Sequence, residues 1–543
     1  MRLRTPCSIL LVSAVTACTL SAQQAAAVGG RSEIFAGSEL EAYLRDLQLV
    51  GLVSLYPSSI RSFSPRELDA LFPADSAVHP WAHRYELRPP TAAPNTLSFD
   101  VVRPTVSARV NTTFPYGSND GPIWAGRGVT TALQLGFAAR YRVLSLTVAP
   151  LAFVAQNASF TLMPNGATGR FVYADGMYPV DIDHPQRFGD GAYKVLDPGQ
   201  TTLRFDAGPV AVGLSTANQF WGPAIDYPLI LGDNAAGFPH VFLGTSHPLD
   251  LKVVRLHGRL VWGKLSQSAY SVDTVTGGLR FMSSVVGVIT LPSLPGLELG
   301  GSRFVHQPWP GLTHLHVRDL LRPFGYQYQA NQPGTLQDNQ LASAFLRWVF
   351  PRKGLEVYAE YGREDYNQNL RDLLEEPDHI GGYGVTYGLH KVFIRPGARM
   401  VSVRAEVQSA PGLVLVSGRD RGALYVHGVL QQGHTQLGQL LGSEAGPGGG
   451  GSTLAVDLYH PGGRWSAALT REIRQNRGAF ARTGQPDDRS IDLLQALSVN
   501  GLFFRGRYDI TAGLTAVYEF NRNFGADAFN LNAVVGVRAN VTR

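Results

Sequence analysis

The chain has 543 residues, with 60 glycines, 34 prolines, 10% aromatic residues and only 16% charged residues. This length suits either several soluble domains or one large β architecture. The formal net charge is only +5, and the basic residues are spread along the chain instead of clustering. Binding to nucleic acid normally requires a basic patch, so nucleic acid is excluded as an expected partner.

The first residues have the pattern of an export signal. A basic start precedes a short apolar core, and the small residues Ala25 and Ala27 suit signal peptidase. We therefore predict a signal peptide over residues 1–27. Cys18 also lies in a sequence that resembles a lipoprotein cleavage box, so lipidation of Cys18 is an alternative. Cys7 is the only other cysteine, so ordinary cleavage would leave a chain without disulfides.

Residues 31–90 are predicted to form a small helical module. Capping-box patterns begin at Ser38 and Ser64, each followed by the apolar spacing of a helix. Pro65 suits the first position of the second helix. A proline-rich stretch at residues 88–94 then separates this module from the rest of the chain.

From residue 97 onward the hydrophobic period changes to two, which predicts β-strands. In the last predicted strand one face is apolar: Leu531, Ala533, Val535, Val537, Ala539 and Val541. The other face carries Asn530, Asn532, Gly536, Arg538 and Asn540. Another strand, over residues 510–520, ends its apolar face with Tyr518 and Phe520, where the aromatic girdle of a membrane barrel would lie.

Residues 342–361 predict a hairpin with one apolar face and one polar face. The polar face includes Ser343, Arg347, Glu356 and Glu360. Because ionisable groups need water, this face is predicted to line a wet interior. The turn of the hairpin is tight, whereas its other end opens into a long polar loop, and this asymmetry is typical of outer-membrane barrels.

The predicted fold is all-β. Beyond the leader no run approaches the roughly 18 to 20 apolar residues of a membrane-spanning helix. Residues 97–541, at roughly 24 residues for each strand and its connection, give about 18 strands. We therefore predict a large antiparallel transmembrane β-barrel over residues 97–541, in contact with the lipid of the cell outer membrane and preceded by a periplasmic helical module at residues 31–90.

Several motifs resemble the Wzi-like capsule assembly family. The WGP, LIL and NA signatures correspond to Trp221-Gly222-Pro223, Leu229-Ile230-Leu231 and Asn234-Ala235. Similar segments follow the family order at residues 124–128, 183–193, 294–309, 356–366 and 424–442. The resemblance implies an outer-membrane barrel with a lectin-like role, which holds secreted capsular or exopolysaccharide at the cell surface. It implies no catalysis.

Candidate polysaccharide-binding residues come first from the irregular segment at residues 218–240. Aromatic rings can stack on sugars, and amides and carboxylates can bind hydroxyl groups. The candidates of this segment are Asn218, Gln219, Trp221, Tyr227, Asp233 and Asn234. The alternative is that Trp221 and the Leu-Ile-Leu run only plug and rigidify the barrel.

Arginine supplies three further candidates. Of the 47 basic residues 42 are Arg, and guanidinium groups suit the carboxylates or phosphates of acidic glycans. Codon usage is an alternative cause of this bias. Arg127, Arg187 and Arg363 are the best candidates, because they lie in or beside the motif segments.

The sequence gives little support to an enzyme or a metal site. Glu356 and Glu360 share a face, but on a strand their backbones lie roughly 13 Å apart, whereas a glycosidase needs two carboxyl groups about 5 to 9.5 Å apart. The histidines are scattered and lack the spacing of metal ligands, so no metal or cofactor is expected. A porin-like diffusion channel is the alternative function. A scaffold that docks polysaccharide export machinery through the helical module is a third possibility.

Overall fold

The computed structural model describes residues 26–27, 33–71, 78–86, 95–272, 277–325, 338–364, 382–410, 423–475 and 491–540. Nearly all of the predicted signal peptide lies outside these residues, together with Cys7 and Cys18. The same holds for the proline-rich stretch at residues 88–94, for most of the long polar loop after Glu364, and for Val541.

Eighteen antiparallel strands form one closed barrel, which confirms the predicted fold class and strand number. The first nine are β1 Ser98–Asn111, β2 Gly128–Tyr141, β3 Leu144–Val148 with Leu151–Ala155, β4 Tyr193–Asp197 with Thr202–Ala207, β5 Val210–Ser215, β6 His240–Thr245 with Leu249–Asp250, β7 Arg255–Ser266, β8 Leu279–Leu291 and β9 Leu294–Pro308. The others are β10 Asn339–Phe350, β11 Leu355–Glu364, β12 Tyr383–Arg395, β13 Arg399–Ser409, β14 Gly450–His460, β15 Gly463–Gln475, β16 Asp492–Arg505, β17 Tyr508–Phe520 and β18 Ala528–Ala539. The barrel closes where β18 pairs with β1, with Val535 opposite Ala108.

Helices are few and short. The α-helices are α1 Glu39–Leu49, α2 Pro65–Leu71 and α3 Val317–Leu320, and short 3-10 turns lie at Gly169–Tyr173, Leu312–His314, Arg322–Phe324 and Arg522–Phe524. Two-residue strands pair Ala26–Ala27 with Tyr85–Glu86, Ile60–Arg61 with Phe220–Trp221, and Thr435–Gln436 with Gln439–Leu440. In the described part of the chain, no helix has the length and apolar character needed to cross a membrane.

The two predicted helices begin at their capping boxes. Before α1, the Ser38 hydroxyl accepts a hydrogen bond from the backbone N–H of Glu41 at 3.3 Å. Before α2, the backbone N–H of Ser64 donates to the Glu67 carboxylate at 2.8 Å, and the Glu67 N–H donates to the Ser64 hydroxyl at 3.2 Å. These bonds satisfy N–H groups that have no partner within the helix.

Turns and loops are segregated between the two rims of the barrel. Turns of two to four residues join β2 to β3, β4 to β5, β6 to β7, β8 to β9, β10 to β11, β12 to β13, β14 to β15 and β16 to β17. We call their end the short-turn rim. The alternate connections are longer and include residues 112–127, 156–192, 216–239 and 410–449. They meet at the long-loop rim, which in such barrels faces the outside of the cell.

The outer wall of the barrel is apolar. Exposed aliphatic side chains on it include Leu133, Leu203, Leu243, Ile289, Leu299, Leu346, Leu389, Leu454, Leu469, Leu497, Leu514 and Val535. Aromatic pairs lie at both ends of the wall. Near the short-turn rim they are Phe99 with Phe137, Trp348 with Phe350, and Trp465 with Phe503. Near the long-loop rim they are Tyr361 with Tyr383, and Tyr518 with Phe520. An apolar belt between two aromatic girdles is the exterior of a barrel that spans a membrane.

The inner face differs from the sequence-based prediction in one respect. Ser343, Arg347, Glu356 and Glu360 point inward as predicted, but all four are buried. The prediction of a wet interior is therefore wrong for this part of the barrel. Protein groups pair with two of them, since Arg347 contacts Glu298 and Glu356 contacts Arg45.

Candidate functional site

The connection between β5 and β6, residues 216–239, folds back into the barrel, and we call it the plug segment. Trp221, Leu229 and Ile230 are fully buried in a core shared with inward-facing side chains of the wall. Further along the segment, the backbone N–H groups of residues 225–227 donate to the carboxylate of Glu406 on β13, at 2.6 to 3.0 Å. Because β13 lies almost opposite β5 and β6 in the strand order, the plug segment crosses the lumen.

The helical module enters the lumen from the short-turn rim and pairs with the plug segment. Ile60–Arg61 forms a small antiparallel ladder with Phe220–Trp221. The Arg61 guanidinium lies 3.7 Å from the centre of the Phe220 ring and donates to the carbonyl groups of Gly222 and Ala224. The WGP motif is therefore the point at which the N-terminal module and the plug segment join.

Gly222 is required by this junction. Its φ is +89°, in the region that favours glycine. A Cβ atom at this position would lie 2.4 Å from a carboxylate oxygen of Glu360 on β11. The backbone can pass close to the wall here only because residue 222 has no side chain.

Ion pairs hold the helical module against the wall. They join Arg45 to Glu356 at 2.7 Å, Asp46 to His390 at 2.9 Å, Glu39 to Arg464 at 3.0 Å, Asp69 to Arg140 at 2.9 Å, and Arg84 to Asp509. In addition, the His257 imidazole lies 3.1 Å from the Glu67 carboxylate. Burial opposes ionisation of Glu67, but the hydrogen bond from His257 and the charge of Arg204 outweigh it and lower the pKa of Glu67. Removing one partner of a buried pair typically costs about 3 to 5 kcal/mol.

A cleft of about 180 Å³ lies on the other side of the plug segment, toward the long-loop rim. The loops at residues 112–127 and 156–192 form it together with residues 438–444 and the long-loop ends of β15 to β17. Its apolar lining includes Tyr116, Ile123, Trp124 and Phe160. Its polar lining includes Asp120, Asp175, His184, Gln186, Asn234, Gln439, Glu444, Arg474, Asp492, Glu519, Arg522 and Asn523. Aromatic rings beside amides and carboxylates form a surface that can bind a sugar.

His184 links the loops that form the cleft. Its imidazole lies 3.6 Å from the Asp175 carboxylate in its own loop and 3.3 Å from the Glu444 carboxylate in the 410–449 loop. Burial alone would lower the pKa of His184, but these carboxylates raise it to about 10. The charged His184 in turn lowers the pKa of Glu444 to about 2, although burial opposes this. Glu444 also accepts a hydrogen bond from Asn234 of the plug segment at 2.9 Å.

Acidic groups outnumber basic groups in the lining of the cleft. Three of the lining residues, His184, Arg474 and Arg522, are basic, whereas five are acidic. The basic groups also have acidic partners: Arg522 lies 3.1 Å from Glu519, and Arg474 lies 3.7 Å from Glu472. The cleft therefore offers hydrogen-bond acceptors more readily than free positive charge.

The structure separates the candidates that the sequence grouped together. Asn234 lines the cleft. The other candidates of the plug segment lie deeper, where Gln219 accepts a hydrogen bond from Arg259, Tyr227 bonds to Thr453, and Asn218 donates to Ala235, while Trp221 is fully buried. Burial raises the pKa of Asp233 well above its ordinary value, and the nearby carboxylate of Asp120 adds to this effect. A bound glycan could reach the buried side chains of this group, those of Asn218, Gln219, Trp221 and Tyr227, only after the plug segment moved.

The three arginine candidates contact protein groups. Arg127 donates to the carbonyl groups of Thr112 and Ser159. Arg187 is buried and donates to Asn157. Arg363 is buried near the long-loop end of β11, on the same face of the strand as Tyr361.

Most of the cleft lining was missed in the sequence. Four of the lining residues lie within the motif segments that carry the family resemblance: Trp124, His184, Gln186 and Gln439. Membership of these segments was the signal in the sequence that could have identified them. Tyr116, Phe160, Arg474 and Glu519 lie outside these segments. No periodicity identified them, because loop residues have no regular spacing.

Comparison with known proteins supports the fold. No protein-family model matches the sequence, and no curated protein sequence matches it. Among solved structures, the chain resembles that of Wzi from Escherichia coli, described as an outer membrane protein involved in group 1 capsule assembly and a carbohydrate-binding β-barrel. The TM-score is 0.61 at 13% identity, over 94% of this chain and 100% of Wzi.

The chain also matches porins from Pseudomonas aeruginosa more weakly. OccK2 gives a TM-score of 0.41 at 9% identity, over 81% of this chain and 98% of the porin. OccK5 gives 0.40 at 10% identity, over 82% and 99%. These scores are too low to support a functional comparison. Together, the apolar belt, the closed 18-stranded sheet and the similarity to Wzi show that the chain is an outer-membrane β-barrel with the Wzi fold.

Proposed function

We propose that this barrel binds a capsular polysaccharide or exopolysaccharide in the cleft at its long-loop rim and holds it at the cell surface. The observation that carries the proposal is the cleft itself, which places Trp124, Tyr116 and Phe160 beside amides and carboxylates above a protein-filled lumen. The carbohydrate binding described for Wzi supports it. The proposal assigns binding without catalysis.

The size of the cleft indicates how a long glycan would bind. At about 180 Å³ it is smaller than the roughly 300 to 1,000 Å³ of pockets that enclose drug-sized ligands. We therefore expect it to take one sugar unit of a chain, while the rest of the polymer extends over the loops. Weak sites on many barrels can retain one polymer, because each bound site raises the local concentration for the next.

The charge of the cleft favours neutral or amine-bearing sugars over acidic sugars. Its basic groups are paired with carboxylates, and acidic groups are in excess. An incoming uronate would meet like charges, which costs binding energy. The expected preference for neutral or amine-bearing sugars differs from the acidic glycan that the arginine content suggested. The arginine content was misleading because the described arginines of the lumen are largely engaged in internal ion pairs.

The filled lumen disfavours the alternative of a porin-like channel. Within the described residues, the plug segment crosses the barrel and the helical module occupies it from the short-turn rim. We assign this module to holding the plug segment, in preference to docking export machinery, because its helices bury their side chains against the wall. Planar-bilayer recording tests the alternative of a channel, since a large, steady conductance of the purified protein would favour it.

The first test of the proposed function compares cell-bound with shed polysaccharide in the native host, with and without this gene. Deletion is expected to shed material that was previously retained, with total polysaccharide unchanged. Unchanged retention would contradict surface anchoring.

A second test locates the site by titrating the host polysaccharide onto the purified barrel. Trp124→Ala is expected to weaken binding by about tenfold or more, which corresponds to about 1.4 kcal/mol. Trp465→Ala, on the outer wall, is the matched control and should bind as the wild type does. An equal loss of affinity in both variants, or no loss in either, would contradict binding of the polysaccharide in the cleft.

A further inference from the structure

The outer wall of β8 to β10 carries polar residues near the long-loop rim, at positions that are apolar elsewhere. Ser283, Arg303, Gln307 and Gln340 point outward, because their neighbours Ser284, Phe304, His306 and Leu341 face the lumen. Ser283, Gln307 and Gln340 are nevertheless buried. A part of the chain therefore covers the outside of the barrel here.

Residues 309–325, at the start of the connection from β9 to β10, provide this cover, and we call them the strap. The carbonyl group of Leu320 accepts hydrogen bonds from the Trp262 indole at 2.9 Å and from the Ser283 hydroxyl at 2.8 Å. Arg303 donates to the carbonyl groups of Pro323 and Gly325, both at 3.1 Å. Side chains of the wall thus bond to three carbonyl groups of the strap, those of Leu320, Pro323 and Gly325.

Such bonding is what a backbone requires where water is scarce. Within a membrane each unpaired carbonyl group costs several kcal/mol, so irregular backbone needs protein partners. Ser283 is eight residues from the end of β8 at the short-turn rim. At about 3.3 Å per residue and a strand tilt of about 40°, it lies roughly 20 Å above that rim, in the upper part of an apolar band about 25 Å tall.

The strap turns apolar side chains away from the barrel. Leu312 is 76% exposed, Val317 69%, Phe324 62% and Leu321 48%. They extend the apolar outer wall sideways, with the exposed Thr313, His314 and His316 between them. The acidic Asp319 is buried, whereas Arg318 is exposed in the same turn. Exposed apolar groups beside an exposed cation form a surface suited to the boundary between acyl chains and headgroups.

We propose that the strap is a membrane-contacting element, which lies against the barrel at the level of the outer leaflet and inserts Leu312, Val317, Leu321 and Phe324 among lipid acyl chains. Arg318 meets the headgroup layer. The strap would widen the barrel on the side of β8 to β10 and fix its height in the membrane. This role is independent of glycan binding, because the strap lies outside the barrel and the cleft lies above its lumen.

The test places a fluorescent label sensitive to polarity on Leu321→Cys in the full chain, in a background without Cys7 and Cys18. The protein is reconstituted into phosphatidylcholine vesicles whose acyl chains carry a quencher at a shallow or a deep position. Leu346→Cys on the outer wall of β10 is the control for lipid contact, and Asp190→Cys in the 156–192 loop is the control for water. Heat-modifiable mobility on gels confirms that each labelled barrel is folded.

The label at residue 321 is expected to emit at shorter wavelength than the label at residue 190, and to be quenched more by the shallow quencher than by the deep one. Arg303→Met should weaken both effects, because the carbonyl groups of Pro323 and Gly325 lose their donor. Emission like that of residue 190 would overturn the proposal. So would a label at residue 321 shielded from both lipid quenchers, together with disulfide formation between copies of the unlabelled Leu321→Cys variant, since that would make the strap a protein interface.

Discussion

His184→Gln should loosen the loops that form the cleft, because it removes the charge that Asp175 and Glu444 share. The rise in the pKa of His184 from 6.5 to about 10, at about 1.4 kcal/mol per pH unit, sets an upper bound near 5 kcal/mol for this link. The side chain is 27% exposed, and solvent screening reduces the contribution, so we take about 2 kcal/mol.

Hydrogen exchange can measure this loosening at two amides that join the same loops. The N–H of Asp183 donates to the carbonyl group of Gln432 at 3.0 Å, and the N–H of His427 donates to that of Asp181 at 3.0 Å. A loss of about 2 kcal/mol in the stability of the closed loops should accelerate their exchange about 30-fold. Amides of the barrel strands serve as the internal control and should not change.

The pH dependence of the stability of the closed loops tests the role of His184. Because the pKa of His184 is raised on folding, its contribution is fully present below pH 6.5 and is lost as the pH rises toward 10. Because the pKa of Glu444 is lowered from 4.5 to about 2, its contribution is lost as the pH falls between those values. The wild-type loops should therefore be most stable between about pH 4.5 and 6.5. A wild-type protein with the same loop stability at pH 6 and pH 9, relative to the strands, would refute the reasoning.

Two further substitutions test how the lumen is filled. Arg45→Met removes one partner of a buried ion pair and should lower the free energy of unfolding by about 3 to 5 kcal/mol. Denaturant titration in detergent measures this change. Arg66 is an exposed residue of the same module, so Arg66→Met should change the free energy of unfolding little. Gly222→Ala should lower the melting temperature of the barrel, because the added methyl group would meet Glu360. Gly397→Ala has a similar positive φ but open surroundings, so an equal effect there would mean that backbone strain alone is responsible.

The wall of the barrel was predictable because its environment imposes a strict pattern. Each strand separates lipid from a protein interior, so side chains such as Leu346 and Arg347 must alternate, and this alternation is visible in the sequence. Capping boxes such as Ser64 with Glu67 are equally local. The prediction failed for the interior, since alternation distinguishes inside from outside but does not show whether water or protein fills the inside.

The cleft was only partly predictable, because its residues come from separate loops. The family motifs drew attention to the plug segment, and of the candidates there only Asn234 lines the cleft. Trp221 serves instead as a buried junction with the helical module. The path of an irregular segment depends on contacts that are distant in sequence, which neither residue spacing nor local propensity reveals.

The junction of the helical module with the wall has a consequence for how the barrel is made. Arg45 and Glu356 are 311 residues apart in the chain, and Arg84 and Asp509 are 425 apart. Contacts of such long range are slow to form, because a large chain entropy is lost before they are gained. Once β1 and β18 join, the folded module can no longer enter through the side of the cylinder. The short-turn rim is then the remaining entrance, and in either order the contacts of the module are complete only after β17, which carries Asp509, has been synthesised.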